Sequence, residues 1–205
     1  MTWPKIVALF QHPYAWNDRS RVACDLASRW ADQVVVLQPS VEAGRIPEEL
    51  EISRLLVPEM RFADPGWWRR AWLRLIEEQE LTERDVVVPM RTLEVVHDYA
   101  VVRDLIRGAP GKVLKAMRYT MFGTRHYRVD SAFRPRWRPF SIPVVADPTF
   151  VTSEFPDHAF DASRQLETSI VTLDYSGGYG VPDTKSVKPY DGIFFFDDDD
   201  LEPVR

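Results

Sequence analysis

Between residues 112 and 138 the chain carries Lys112, Lys115, Arg118, Arg125, Arg128, Arg134, Arg136 and Arg138 against a single acid, Asp130. Tyr119, Phe122, Tyr127, Phe133 and Trp137 are interleaved with them. Guanidinium groups alternating with aromatic rings suit phosphate-bearing ligands, because the cations offset charge while the rings stack. A diphosphate, a phosphorylated acceptor or a nucleic-acid strand would each fit. The plainer alternative is a solvated face whose Arg residues pair with carboxylates elsewhere. The net charge of −5 argues against a molecule that adheres to polyanions over its whole surface.

Other reactive residues exclude more than they propose. The histidines at 12, 97, 126 and 158 have no partners at zinc-finger spacing. His12 falls just beyond the first apolar run, where a ligand would sit, and is the preferred His for substrate contact. Cys24 is the only cysteine, which rules out an internal disulfide and fits a reducing compartment. It reads as a small buried apolar residue inside a helix, and no Gly-x-Ser-x-Gly elbow is present, so a covalent nucleophile has little support. No glycine fingerprint follows the first strand, which argues against a dinucleotide or P-loop site. The run Asp197 to Asp200 after Ile193–Phe196 reads as a solvated acidic tail. Tyr175 to Gly180 reads as a flexible loop.

The elements that must position these residues follow from periodicity. Lys5 to Phe10, Gln33 to Gln38 and Asp85 to Met90 are continuous apolar runs of strand length, as in strands buried on both faces of a parallel sheet. A weaker strand covers Ile52 to Val57. Between them, Asp18 caps a helix bearing Val22, Leu26 and Trp30, with Ala23 and Ala27 beside them. Asp64-Pro65 starts a second helix with Trp68, Ala71, Trp72, Leu75 and Ile76 on one stripe. Thr92 caps a third, with Val95, Tyr99, Val102 and Ile106, which ends at Gly108-Ala-Pro-Gly111. Lys112 to Phe122 is a further strand, followed by Pro-punctuated segments with short apolar stretches at 142–146, 170–173 and 193–196.

Strand, helix, strand within forty residues is a βαβ unit. The expected fold is therefore one α/β domain over residues 1–205: a Rossmann-like, mostly parallel sheet flanked by helices, with an irregular Pro-rich C-terminal portion. The first apolar run is too short for a membrane span or a signal segment, and the expected compartment is the cytoplasm.

The first hundred residues resemble the nucleotide-sugar-binding half of family 2 glycosyltransferases, which have the GT-A fold. Those enzymes place Asn-Glu after the first strand, where this chain has Asn17-Asp18. They close the second strand with an Asp- and Ser-rich loop, matched by Ser40 and Glu42, while Leu37 and Gln38 stand where a nucleoside-binding carboxylate is usual. Their Asp-x-Asp-Glu motif, whose carboxylates hold a divalent cation on the diphosphate, aligns with Arg91-Thr-Leu-Glu94. Glu94 survives, and Arg91 and Leu93 occupy the two Asp positions. Leu offers no oxygen ligand, whereas a guanidinium can neutralise a diphosphate directly.

The resemblance implies a transferase with a nucleotide-sugar donor held by His12, Asn17, Asp18, Ser40, Glu42, Arg91 and Glu94. Residues 1–110 would form the donor half and 111–205 the acceptor side and acidic tail. It also implies a cation, Mn or Mg, although replacement of the Asp pair points to a metal-independent site. Arg134-Pro-Arg-Trp137 is similar to the Gln/Arg-x-x-Arg-Trp signature of processive members, one residue short, and places Arg125, Arg134, Arg136 and Trp137 on the acceptor or phosphate side. An inverting transferase needs one carboxylate to take the acceptor's proton, and Asp157 or Glu154 is expected in that role. The competing reading is a non-catalytic protein on the same scaffold that grips nucleic acid or an acidic partner through residues 112–138.

Overall fold

A computed structural model describes residues 3–11, 18–38, 52–56, 65–91, 93–122, 125–129, 136–144, 165–175 and 187–189. The elements, in chain order, are β1 (Ile6–Gln11), α1 (Asp18–Ser28), β2 (Gln33–Gln38), β3 (Ile52–Leu56), α2 (Pro65–Glu78), β4 (Val86–Met90) and β5 (Glu94–Val96). They continue with α3 (Tyr99–Gly108), β6 (Val113–Phe122), β7 (His126–Arg128), β8 (Arg136–Pro143), β9 (Gln165–Asp174) and β10 (Val187–Pro189).

One path of strands runs β10-β7-β6-β8-β4-β1-β2-β3, and β9 joins it beside β6 with β5 on its other side. Strands β3, β2, β1 and β4 are all parallel. The expected parallel arrangement therefore holds for the first ninety residues. Beyond them the sheet is mixed: β8 is antiparallel to both β4 and β6, and β9 is parallel to β6 but antiparallel to β5. Because β8 reverses direction, β6 and β9 point the same way as β4. The carboxyl ends of β1, β2, β3, β4, β6 and β9 thus share one edge, and β8 begins there.

Residue alternation sorts the core onto two faces. Ile6, Ala8 and Phe10 of β1, with Val34, Val36, Val86 and Val88, pack beneath α1 and α3. Val7 and Leu9, with Val35, Leu37 and Val87, pack against Ala71, Trp72 and Leu75 of α2. The α2 stripe is as the spacing predicts, apart from Trp68, whose side chain lies outside the described residues. In α1 and the turn after it, Leu26 and Trp30 are buried as the spacing predicts, together with Ser20, Ala23, Cys24 and Ala27, whereas Val22 is 37% exposed. Small side chains at i, i+3, i+4 and i+7 let this helix lie close to the strands.

Two expectations give way to longer strands. The third helix starts at Tyr99, not at the Thr92 cap. Val95 and Val96 instead pair with Leu173 and Thr172 of β9, an arrangement that suits β-branched residues. The stretch read at 142–146 enters the eight-residue β8 through Ile142 and Pro143, its residues 145–146 lying outside the described residues, and the stretch read at 170–173 lies within the ten-residue β9. Pro89 sits in a central strand without breaking it, because β4 pairs with β8 only through Val86 and Val87, before the proline is reached. The C-terminal portion is thus irregular only in sequence pattern where it is described. No helix among the described residues is long and apolar enough to cross a membrane.

Candidate functional site

The carboxyl edge of the sheet gathers the charged residues that the core cannot absorb. Met90, the last residue of β4, lies opposite Phe10 near the end of β1, and Arg91 follows immediately. The chain then turns, with Glu94 N–H donating to the Arg91 carbonyl at 3.0 Å, and enters β5. Pairing with β9 sets Glu94 opposite Asp174, and Asp174 in turn lies opposite Thr120 of β6.

Glu94 and Asp174 are both fully buried. Glu94 Oε1 accepts from Arg118 Nε at 2.7 Å, and its Oε2 accepts from the Arg91 backbone N–H at 3.0 Å. Arg91 Nη1 donates to Asp174 Oδ2 at 3.0 Å. Two buried carboxylates are therefore matched by two guanidinium groups in charge-assisted bonds, the condition under which buried charge is tolerable. The two arginines differ in exposure. The Arg118 side chain is only 16% accessible and serves Glu94, whereas that of Arg91 is 38% accessible and presents its remaining N–H donors at the edge. Backbone bonds from the Tyr175 N–H to the Leu93 carbonyl and from the His97 N–H to the Val171 carbonyl fasten β5 on either side of the pair.

Of the residues singled out by sequence, Arg91 and Glu94 come together here, with Glu94 as an anchor for Arg91 rather than an exposed ligand. Arg136 opens β8 at the same edge, in register with Arg118, and Trp137 follows opposite Met117, half-buried. The Arg136 side chain lies outside the described residues. Arg125 is exposed in the turn between β6 and β7. Asp18 opens α1, its side chain likewise not described. His12, Asn17, Ser40, Glu42, Arg134, Glu154 and Asp157 lie outside the described residues. The segments 12–17 and 39–51, which carry the first four of these, follow β1 and β2 in the chain.

Sequence reasoning missed the roles of Asp174 and Arg118. Asp174 ends an apolar strand as an isolated acid, a signal available in the sequence. Arg118 stands between Met117 and Tyr119 and reads as one more cation of the basic segment until its partner is known. The basic segment itself is folded into β6, β7 and β8 rather than presented as one run. Among the described residues no three His, Cys, Asp or Glu side chains come close enough to hold one metal ion. At this edge both Glu94 oxygens and one oxygen of Asp174 already serve N–H donors, a donor set that does not fit a hard dication.

Cys24 lies on the sheet-facing side of α1, with burial pushing its thiol up to about 12. A thiol held neutral in this way is disfavoured as a nucleophile.

No protein-family model and no curated protein matches the chain. Among solved structures it is similar to 4-diphosphocytidyl-2C-methyl-D-erythritol synthase, with a TM-score of 0.50 and 10% identity over 89% of this chain and 95% of that one. A second similarity, to mannose-6-phosphate isomerase from Helicobacter pylori, has a TM-score of 0.36 and 8% identity over 60% of this chain and 55% of that one, too weak to compare topologies. The first likeness extends over nearly the whole of both chains and establishes a Rossmann-type α/β fold.

Proposed function

We propose that the chain is a transferase acting on a nucleotide-linked substrate, and specifically a GT-A-like glycosyltransferase that moves a sugar from a nucleotide-sugar donor to an acceptor. The observation that carries this reading is the placement of Arg91: a partly exposed guanidinium at the carboxyl end of β4, pinned by buried Asp174 and Glu94. Open α/β sheets bind ligands at that edge. A pre-positioned guanidinium there suits a diphosphate, since its ordering entropy is already spent within the fold. The similarity to a synthase whose product bears a diphosphocytidyl group supports a nucleotide diphosphate over other anions.

In this reading His12, Asn17, Asp18, Ser40 and Glu42 hold the nucleoside and sugar, and Arg91 offsets the diphosphate charge without a metal. The bond between the sugar's anomeric carbon and the diphosphate oxygen breaks as the acceptor oxygen attacks from the opposite face. The acceptor's proton passes to Asp157 or Glu154. The nucleoside diphosphate leaves with the bonding electrons, its added charge met by Arg91. Arg125, Arg134, Arg136 and Trp137 face the acceptor, for which a phosphorylated compound or a nucleic-acid strand is the chemistry those side chains favour. Residues 1–110 and 111–205 divide the work as donor and acceptor sides of one domain.

The test is product analysis: incubation with UDP-, GDP-, CMP- and dTDP-sugars in chelator, followed by chromatography for the released nucleotide. Release from one donor above the level of an Arg91→Ala variant supports the reading. No release from any donor, with or without manganese and candidate acceptors, overturns it.

A further inference from the structure

At the opposite edge of the sheet, where β1 and β4 begin, a cavity of about 860 Å³ opens between the end of α3 and the end of β8. Its apolar wall comes from Val86, Ile106 and Pro143, and its rim from Trp3, Arg84 and Arg107 with one acid, Glu83. Trp3 is 68% exposed, an unusual position for the largest apolar side chain. The Arg107 guanidinium lies over its ring, 5.3 Å from the centroid. Arg107 Nε is buried and has no hydrogen-bond partner among the described residues.

We propose that this cavity is a second ligand site, separate from the carboxyl edge, for a planar aromatic molecule bearing one anionic group. The volume lies in the range of small-molecule sites, and the mostly apolar wall disfavours a hydrated sugar or a polyphosphate. A flat ring can lie against the exposed indole and the prolines, replacing water on an aromatic surface already ordered by Arg107. The anion meets the Nη–H donors of Arg107, which suit the oxygens of a carboxylate, and Arg84 adds positive field at the rim. Glu83 at the same rim disfavours a second negative charge. Sequence reading gave no hint of this site, because Trp3, Arg84 and Arg107 are brought together only by the packing of α3 against the amino ends of β1 and β4.

The experiment is calorimetric titration of the full chain with 2-naphthoate, with 2-naphthylmethanol as the neutral ring and cyclohexanecarboxylate as the anion lacking an aromatic ring. Naphthoate is expected to bind at least about tenfold more tightly than either control. Arg107→Gln should abolish the preference for naphthoate over naphthylmethanol, and Trp3→Ala should weaken both ring compounds, with melting temperatures unchanged because neither side chain belongs to the core. Absence of naphthoate binding, equal binding of either control, or undiminished binding in both variants overturns the proposal.

Discussion

Glu94 and Asp174 face each other across the β5–β9 ladder, each fully buried, and each is met by its own arginine: Arg118 at 2.7 Å and Arg91 at 3.0 Å. One arginine is turned inward and the other is held at the edge. This asymmetry separates a structural ion pair from one that can also serve a ligand, and the first two expectations follow from it.

Glu94→Ala leaves the Arg118 guanidinium without its carboxylate and the Arg91 N–H without its acceptor. Breaking a buried pair in this way costs about 3–5 kcal/mol. Denaturant unfolding of Glu94→Ala, Arg118→Ala and the double variant should show a coupling of about 1–3 kcal/mol. Additive effects would mean that the 2.7 Å contact contributes nothing.

Arg91→Ala removes the Nη1 donor from Asp174 Oδ2 and should lower stability by about 1–3 kcal/mol. Arg91→Lys keeps the charge but loses the planar fork, so it should retain most of the stability while weakening nucleotide-sugar binding by about tenfold or more. Binding by Arg91→Lys equal to that of the parent chain would remove the guanidinium from the donor site.

Cys24 gives the stability a pH dependence of defined sign. Its thiol is held neutral in the folded chain up to about 12, against 9.0 for a free thiol, through burial. The folded state therefore binds the proton more tightly than the unfolded state does. The resulting stability is fully present below about 9 and is lost as pH rises toward about 12, by at most about 1.4 kcal/mol per pH unit. The difference between the parent chain and Cys24→Ala, followed by urea melts from pH 7 to 11, should narrow or reverse above pH 9. A constant difference would contradict the burial. Alkylation of Cys24 at pH 8 should likewise proceed only on unfolding.

Arg103 closes the end of the first helical segment: its Nε donates to the Trp30 carbonyl at 3.1 Å and its Nη2 to the Ala31 carbonyl at 3.2 Å, with Asp32 beside it at 3.4 Å. Arg103→Ala strips two carbonyls of their donors and should cost about 1–3 kcal/mol. Ligand binding at either edge should be unaffected. A change in affinity without a change in melting would place Arg103 in a site instead.

The parallel half of the fold was legible because β1, β2 and β4 are buried on both faces and read as apolar runs, as in Val34–Leu37 and Val86–Val88, while β3, with Ser53 and the exposed Arg54, gave a weaker signal. β8 and β9 were not legible, because the buried run of β8 is interrupted by Pro139, Ser141 and Pro143, and β9 opens on exposed or half-exposed residues, with Thr168, Ser169 and Thr172 masking its apolar end. β5 was absorbed into a helix because Val95, Tyr99, Val102 and Ile106 keep helical spacing across a real strand. At the site, Arg91 and Glu94 could be picked out from their place after β4. Asp174 offered only its place as a lone acid ending an apolar stretch, since its proximity to them arises from eighty residues of intervening topology that local spacing does not encode.

The most direct measurement is a thermal-shift titration with UDP-, GDP-, CMP- and dTDP-sugars, each with and without manganese, and with short DNA alongside. A ligand at about a hundred times its dissociation constant stabilises by roughly 2.7 kcal/mol, or about 5–10 °C for a chain of this size. The account predicts such a shift with one nucleotide-sugar, unchanged by manganese because Arg91 takes the cation's place. A shift with DNA alone, or with none of these ligands, would contradict it.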